Sequence, residues 1–171
     1  AEVASNFNQA MVRAHLFASH DDRDFQLALI QEAMDNLHRY FFIMPTLARF
    51  EYEVHTRVEN SEPVTPDTLN EIMSEFYAEG YGDTMTDDSQ RTGITWAQFN
   101  HLYVPYYTFQ YATGISAAHA LANGILADDT SDSVDHYLTF LKSGSSDYPI
   151  NVLERAGVDM STPQAVEETF E

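Results

Sequence analysis

Apolar residues recur at three- and four-residue intervals along almost the whole chain, a spacing that predicts helices throughout. Val3, Phe7, Met11 and Ala14 share one face of a first helix. After the acidic turn His20-Asp21-Asp22-Arg23-Asp24, the residues Ile30, Ala33, Met34, Leu37 and Phe41 mark a second. Pro45 interrupts the pattern, which Leu47, Phe50, Val54 and Val58 resume. The reading there is one long kinked helix, or two helices meeting near Met44. Thr65 is placed to cap a helix with Pro66 at its first position, buried along Leu69, Ile72, Met73 and Phe76 and ended by Gly80-Tyr81-Gly82.

The second half continues in the same style. Residues 83–93 read as a polar loop, followed by a helix around Trp96 that leads to Pro105. A helix is expected from Tyr106 to about Ala127, tightly packed to judge by Gly114, Ser116, Ala117, Ala118, Ala120 and Ala122. Ser131 starts another, with Val134, Tyr137, Leu138 and Leu141 expected inside, and a Gly-Ser turn at 143–146 follows. A short helix runs from Pro149 to Ala156 and is closed by Gly157. Thr162-Pro163 opens a last one, expected to be still running at Glu171. The expectation is an all-α, multi-helix bundle, with one core of ordinary domain size. The opening at Ala1 and that running end suggest a piece of a longer chain.

Charge changes this picture most. Lys and Arg total 8 against 27 Asp and Glu, a formal net charge of −19, and Lys142 is the only lysine. Such a field repels nucleic acid and anionic membrane surfaces, so neither is expected as a partner. Much of the acid lies in loops such as 20–24 and 128–132 and on helix exteriors. That distribution favours adaptation to a cytoplasm of molar salt, where screening shortens repulsion to about 3 Å, over an acidic partner-binding block. No apolar stretch approaches a membrane span. With no Cys, disulfides and thiolate metal sites are excluded, so any metal must be held by His and carboxylate.

Candidate chemistry concentrates at 101–114. Tyr103, Tyr107 and Tyr111 recur every four residues just after His101, so on a helical path broken only by Pro105 they would project from one side. Aromatic runs of this kind usually build core or interface. A row of hydroxyls beside a His can also bind a peptide backbone or donate hydrogen bonds to an oxyanion, and the spacing leaves both open. The 7 His give no zinc motif by themselves: none precedes a Glu, and no two are four apart. His119 reads as a packed histidine, and His38, His55 and His136 as surface or helix-edge residues. The Asp83–Asp88 loop lacks the ligands of an EF-hand.

The stretch from His101 through Tyr107-Thr-Phe-Gln-Tyr-Ala-Thr-Gly114-Ile-Ser-Ala-Ala resembles a signature of the oligoendopeptidase F family, zinc metallopeptidases related to thimet oligopeptidase. Tyr137-Leu-Thr-Phe-Leu-Lys142-Ser-Gly-Ser-Ser-Asp147-Tyr-Pro, continuing to Arg155-Ala-Gly-Val-Asp159, is similar to that family's C-terminal signature. The opening Ala1-Glu2-Val3-Ala4-Ser5 resembles the segment after its zinc-binding helix, and Phe50-Glu51 and Leu69-Asn70-Glu71 fall at matching places between. The chain departs from the family pattern at Pro105, and at Phe109 where a Tyr is common.

The resemblance implies that residues 1–171 are the C-terminal portion of a zincin-type helical peptidase catalytic domain acting on short peptides. It implies Glu2 as third zinc ligand beside two His from an upstream His-Glu-x-x-His helix, which also carries the general base. His101 and Tyr107 would steady the oxyanion, and Tyr103, Tyr106 and Tyr111 would line the substrate channel. On this reading the chain alone neither holds zinc tightly nor cleaves peptides. The rivals are a non-catalytic helical peptide-binding protein and an acidic scaffold. Oligomeric state is not legible in the sequence.

Overall fold

A computed structural model describes residues 1–127 and 131–170, and all regular structure among them is helical. The expected acidic loop at 128–132 and the expected helical end at Glu171 lie partly outside the described residues. The helices are α1 (Val3–Ser19), α2 (Arg23–Leu37), α3 (Met44–Glu59), α4 (Pro66–Tyr81), α5 (Ser89–Thr92), α6 (Gln110–Ala127), α7 (Ser131–Ser143), α8 (Pro149–Arg155) and α9 (Gln164–Glu167). None of the described helices is long and apolar enough to cross a membrane. The chain forms two compact units, one of residues 1–34 and 111–171, the other of residues 35–110.

The first unit is organised around α6, whose small residues let other elements come close. Ala117, Ala118 and Ala122 are buried with Leu121 against Phe7 of α1, Tyr137 of α7, Leu153 and Ala156 of α8, Val158 and Ala165. Phe7 and Tyr137 stack with ring centroids 3.6 Å apart. Gly114 lies so close to the backbone of Ala1 that a Cβ would collide with the Ala1 carbonyl oxygen. At the end of α8, Gly157 takes φ +88° and the Val158 N–H donates back to the Leu153 carbonyl at 2.9 Å, the left-handed helix ending that the Gly foretold. Asp147 organises the start of α8, accepting from the Tyr148 N–H at 2.7 Å, Asn151 Nδ2 at 3.0 Å and Arg155 at 2.8 Å. These donors, the Tyr148 amide first, hold its carboxyl below the usual aspartate value.

Two expectations need correction in this unit. Val134, Leu138 and Leu141 are exposed, so α7 turns only the narrow stripe of Tyr137 and half-buried Phe140 inward. Ile30 and Met34 of α2 are likewise exposed. Periodicity reveals that a helix has an apolar stripe, not what covers it. The last helix is also a single turn, ending at Glu167.

In the second unit, α3 and α4 pack through Leu47, Phe50, Ile72, Met73 and Tyr77. Burial pushes the Tyr77 phenol up to about 12. Thr65 caps α4 as read, its hydroxyl accepting from the Thr68 N–H at 3.2 Å. The expected kink before α3 is a π-helical stretch over His38–Ile43, in which the Met44 N–H reaches back to the Arg39 carbonyl. Pro45 has no N–H to offer the preceding turn and its ring crowds it, so the turn widens. The Thr46 hydroxyl then donates to the Phe42 carbonyl at 2.8 Å. The segment read as loop and helix up to Trp96 is α5 between short 3₁₀ turns at Gly82–Thr84 and Gly93–Gln98. Trp96 Nε1 donates to Asn70 Oδ1 at 2.9 Å, and Gly93 lies against the Asn70 carbonyl, which fastens this stretch to α4.

Candidate functional site

The tyrosine-rich stretch is a shaped loop rather than a helix. Asn100–Tyr103 form a 3₁₀ turn and α6 starts only at Gln110, four residues later than the spacing predicts. Tyr103, Tyr107 and Tyr111 therefore do not form one helical row. The cause lies at Tyr106, whose φ is +55°. A non-glycine residue in the left-handed region costs about 1–2 kcal/mol, so the surroundings must hold it there.

They do so through every polar group of the residue. The Tyr106 N–H donates to Glu51 Oε1 at 2.5 Å, and its carbonyl accepts from Gln110 Nε2 at 3.4 Å. Its hydroxyl lies 3.2 Å from His55 Nδ1, with the two rings edge to face. The other oxygen of Glu51 accepts from the Thr108 hydroxyl at 3.5 Å. Glu51 is only 4% exposed and Thr108 is fully buried. Glu51 and His55 stand one turn apart on α3, hence on the same face.

Between these fixed points, the Tyr107 ring stacks on His101 with centroids 5.9 Å apart and planes 28° apart, both side chains half-buried. The Phe99 ring is also near His101, tilted, with centroids 6.0 Å apart. Of the remaining tyrosines, Tyr103 is the most open, at 78% exposure, and Tyr106 is partly exposed. Tyr111 is buried at the start of α6 in the first unit. The loop thus brings His101 and Tyr107 together. Glu51 and His55 are the participants that the reading of individual residues missed. The available signal was a Glu inside the apolar stripe Leu47, Phe50, Val54.

Glu2 belongs to the first unit. It precedes α1 with φ +59°, and its carbonyl accepts from the Asn6 N–H and Asn6 Nδ2, each at 3.0 Å. Its exposed carboxylate accepts the Ser5 hydroxyl at 2.5 Å. One oriented, accessible carboxylate suits a single position in a metal's ligand set. Among the described residues no three His, Cys, Asp or Glu side chains gather into a group that could hold a metal ion.

Comparison with known proteins decides the family. The family model for peptidase family M3 matches residues 1–171. The chain belongs to peptidase family M3. Within that family it is 38% identical to Oligopeptidase PepF of Bacillus subtilis over 98% of this chain and 25% of the relative. It is 34% identical to Group B oligopeptidase PepB of Streptococcus agalactiae over 99% of this chain and 28% of the relative. A crystal structure of a protein from Chlamydophila abortus superposes with a TM-score of 0.88 and 32% identity, covering 99% of this chain and 28% of that one. The chain thus spans about a quarter of the length of the M3 relatives it matches.

Proposed function

We propose that this chain is the C-terminal portion of the catalytic domain of a zinc oligoendopeptidase that hydrolyses peptide bonds in short oligopeptides. The observation that carries the reading is the stacked His101–Tyr107 pair on a loop held in a strained shape, within a chain matched along its whole length by an M3 peptidase model. Strained, over-determined backbone is characteristic of catalytic loops.

Glu2 would hold one coordination position of the zinc, with the Ser5 hydroxyl fixing the carboxylate's direction, as outer partners of metal ligands commonly do. The other ligands, two His, would come from sequence outside this chain. Zinc held by two His and a carboxylate lowers the pKa of a bound water and polarises a carbonyl. His101 and Tyr107 would donate hydrogen bonds to the oxygen on which charge develops as the scissile carbonyl is attacked, a contact worth most in the transition state. Tyr103, with the most open ring, and Tyr106 would line the peptide's path. Tyr111 would meet it with no more than an edge of its buried ring.

Glu2→Gln in the full-length protein tests the metal side of this reading. Metal analysis should show zinc lost or held much more weakly, with peptide turnover falling in parallel. The 171-residue chain by itself should hold no tight zinc. Stoichiometric zinc and wild-type turnover in Glu2→Gln would remove Glu2 from the ligand set.

A further inference from the structure

Glu51 is a buried carboxylate that the proposed chemistry does not use, and its two oxygens are both spent on one loop. Buried carboxylates are retained only where hydrogen bonds offset their desolvation, and here the donors are the Tyr106 amide and the Thr108 hydroxyl. One turn further along α3, His55 meets the hydroxyl of the same Tyr106. The two α3 side chains therefore grip Tyr106 at its backbone and at the tip of its side chain. The strain of φ +55° falls between those two grips. Tyr107 is the next residue, and Thr108, gripped in turn by Glu51, is the one after it.

We infer that Glu51 and His55 are positioning residues: together they clamp Tyr106 in its left-handed conformation and so aim Tyr107 at the reacting carbonyl. This rests on the oxyanion role proposed for Tyr107. The clamp acts on loop geometry, so loosening it lowers kcat through misplacement of Tyr107, and a smaller rise in KM follows from the displaced Tyr106 ring. A shift of about 1 Å at a catalytic group can cost on the order of 10²-fold.

The experiment uses the full-length protein and four variants. Glu51→Leu removes both acceptors at similar volume, and Glu51→Gln keeps one carbonyl oxygen. His55→Phe keeps the edge-to-face ring without the nitrogen, and Glu51→Leu is also combined with Tyr107→Phe. Amide hydrogen exchange across residues 103–110 reads the clamp without reference to activity. The expected result is faster exchange at Tyr106 in Glu51→Leu and a kcat loss of about 10²-fold that exceeds any rise in KM. Glu51→Gln should recover part of both, and His55→Phe should show a smaller effect of the same kind. The double variant should lose no more kcat than Tyr107→Phe alone, because the clamp acts through that side chain. Unchanged exchange in folded Glu51→Leu, or additive losses in the double variant, would overturn the clamp. If Glu51→Leu fails to fold, Glu51→Gln and His55→Phe carry the same readouts. Wild-type kcat in Tyr107→Phe would overturn the oxyanion role, while the exchange measurement would still decide whether the clamp exists.

Discussion

Glu2 and Tyr106 are both non-glycine residues held at positive φ, and they are held in opposite ways. Glu2 is secured by its own helix: Ser5 and Asn6, in the first turn of α1, supply the donors to its carbonyl and carboxylate. Tyr106 is secured by α3, whose Glu51 and His55 are 55 and 51 residues away in sequence. A third such residue, Ser61, ends α3 and needs no functional account. The Glu62 N–H donates to the Arg57 carbonyl at 2.8 Å in an ordinary left-handed helix ending. Strain supported by neighbours in sequence is cheap to build and visible in a short motif. Strain supported across the fold needs a packed scaffold beneath it.

The difference predicts what breaks each site. The largest effect should come from the scaffold under Tyr106. Leu47→Ala empties a fully buried position on α3, one turn before Glu51, and should cost about 2–5 kcal/mol in urea unfolding. The loop at 103–110 should lose amide protection along with α3. A loss under 1 kcal/mol would mean that α3 is not the support assumed here.

Next in size is the approach of α6 to the segment carrying Glu2. Gly114→Ala places a methyl on the Ala1 carbonyl oxygen. Overpacking of this kind costs about 1–3 kcal/mol and displaces Ala1 together with the residue that follows it. Urea unfolding should report the first effect, and weakened zinc binding by the full-length protein the second. Wild-type behaviour in both would show that the Ala1–Glu2 backbone moves aside freely.

The smallest effect concerns pH. Burial, helped by the charge of Arg13, holds the His119 imidazole on α6 below its usual value of 6.5. The unfolded chain then binds the proton more tightly, so stability present above pH 6.5 is lost as pH falls from there through the lower folded value. Melting temperature should decline between about pH 7 and pH 5, and His119→Gln should flatten part of that decline. An unchanged slope in the variant would assign the acid sensitivity to other groups.

The same contrast explains what the sequence disclosed. Helix caps, the Pro45 irregularity, the Gly157 ending and the small-residue face of α6 depend on neighbours in sequence, and all were legible. The start of α6 was not. Apolar spacing starts a helix at Tyr106, just after Pro105, and the four-residue delay is enforced by Glu51, a residue on another helix. Exposure of Ile30, Met34, Val134, Leu138 and Leu141 was equally hidden, since it depends on what packs over a stripe. At the site, His101 and Tyr107 were paired by the resemblance to a family signature, not by their spacing. Glu51 and His55 could not be joined to Tyr106 from spacing at all.

The central claim is that the held loop presents Tyr107 to a developing oxyanion, and Tyr107→Phe in the full-length enzyme tests it most directly. The substitution removes one hydroxyl and almost no volume, so circular dichroism and melting should match the wild type. Steady-state peptide cleavage should then show kcat reduced by about 10²–10³ with KM nearly unchanged. A folded Tyr107→Phe enzyme with wild-type kcat would contradict the claim and return Tyr107 to a packing role against His101.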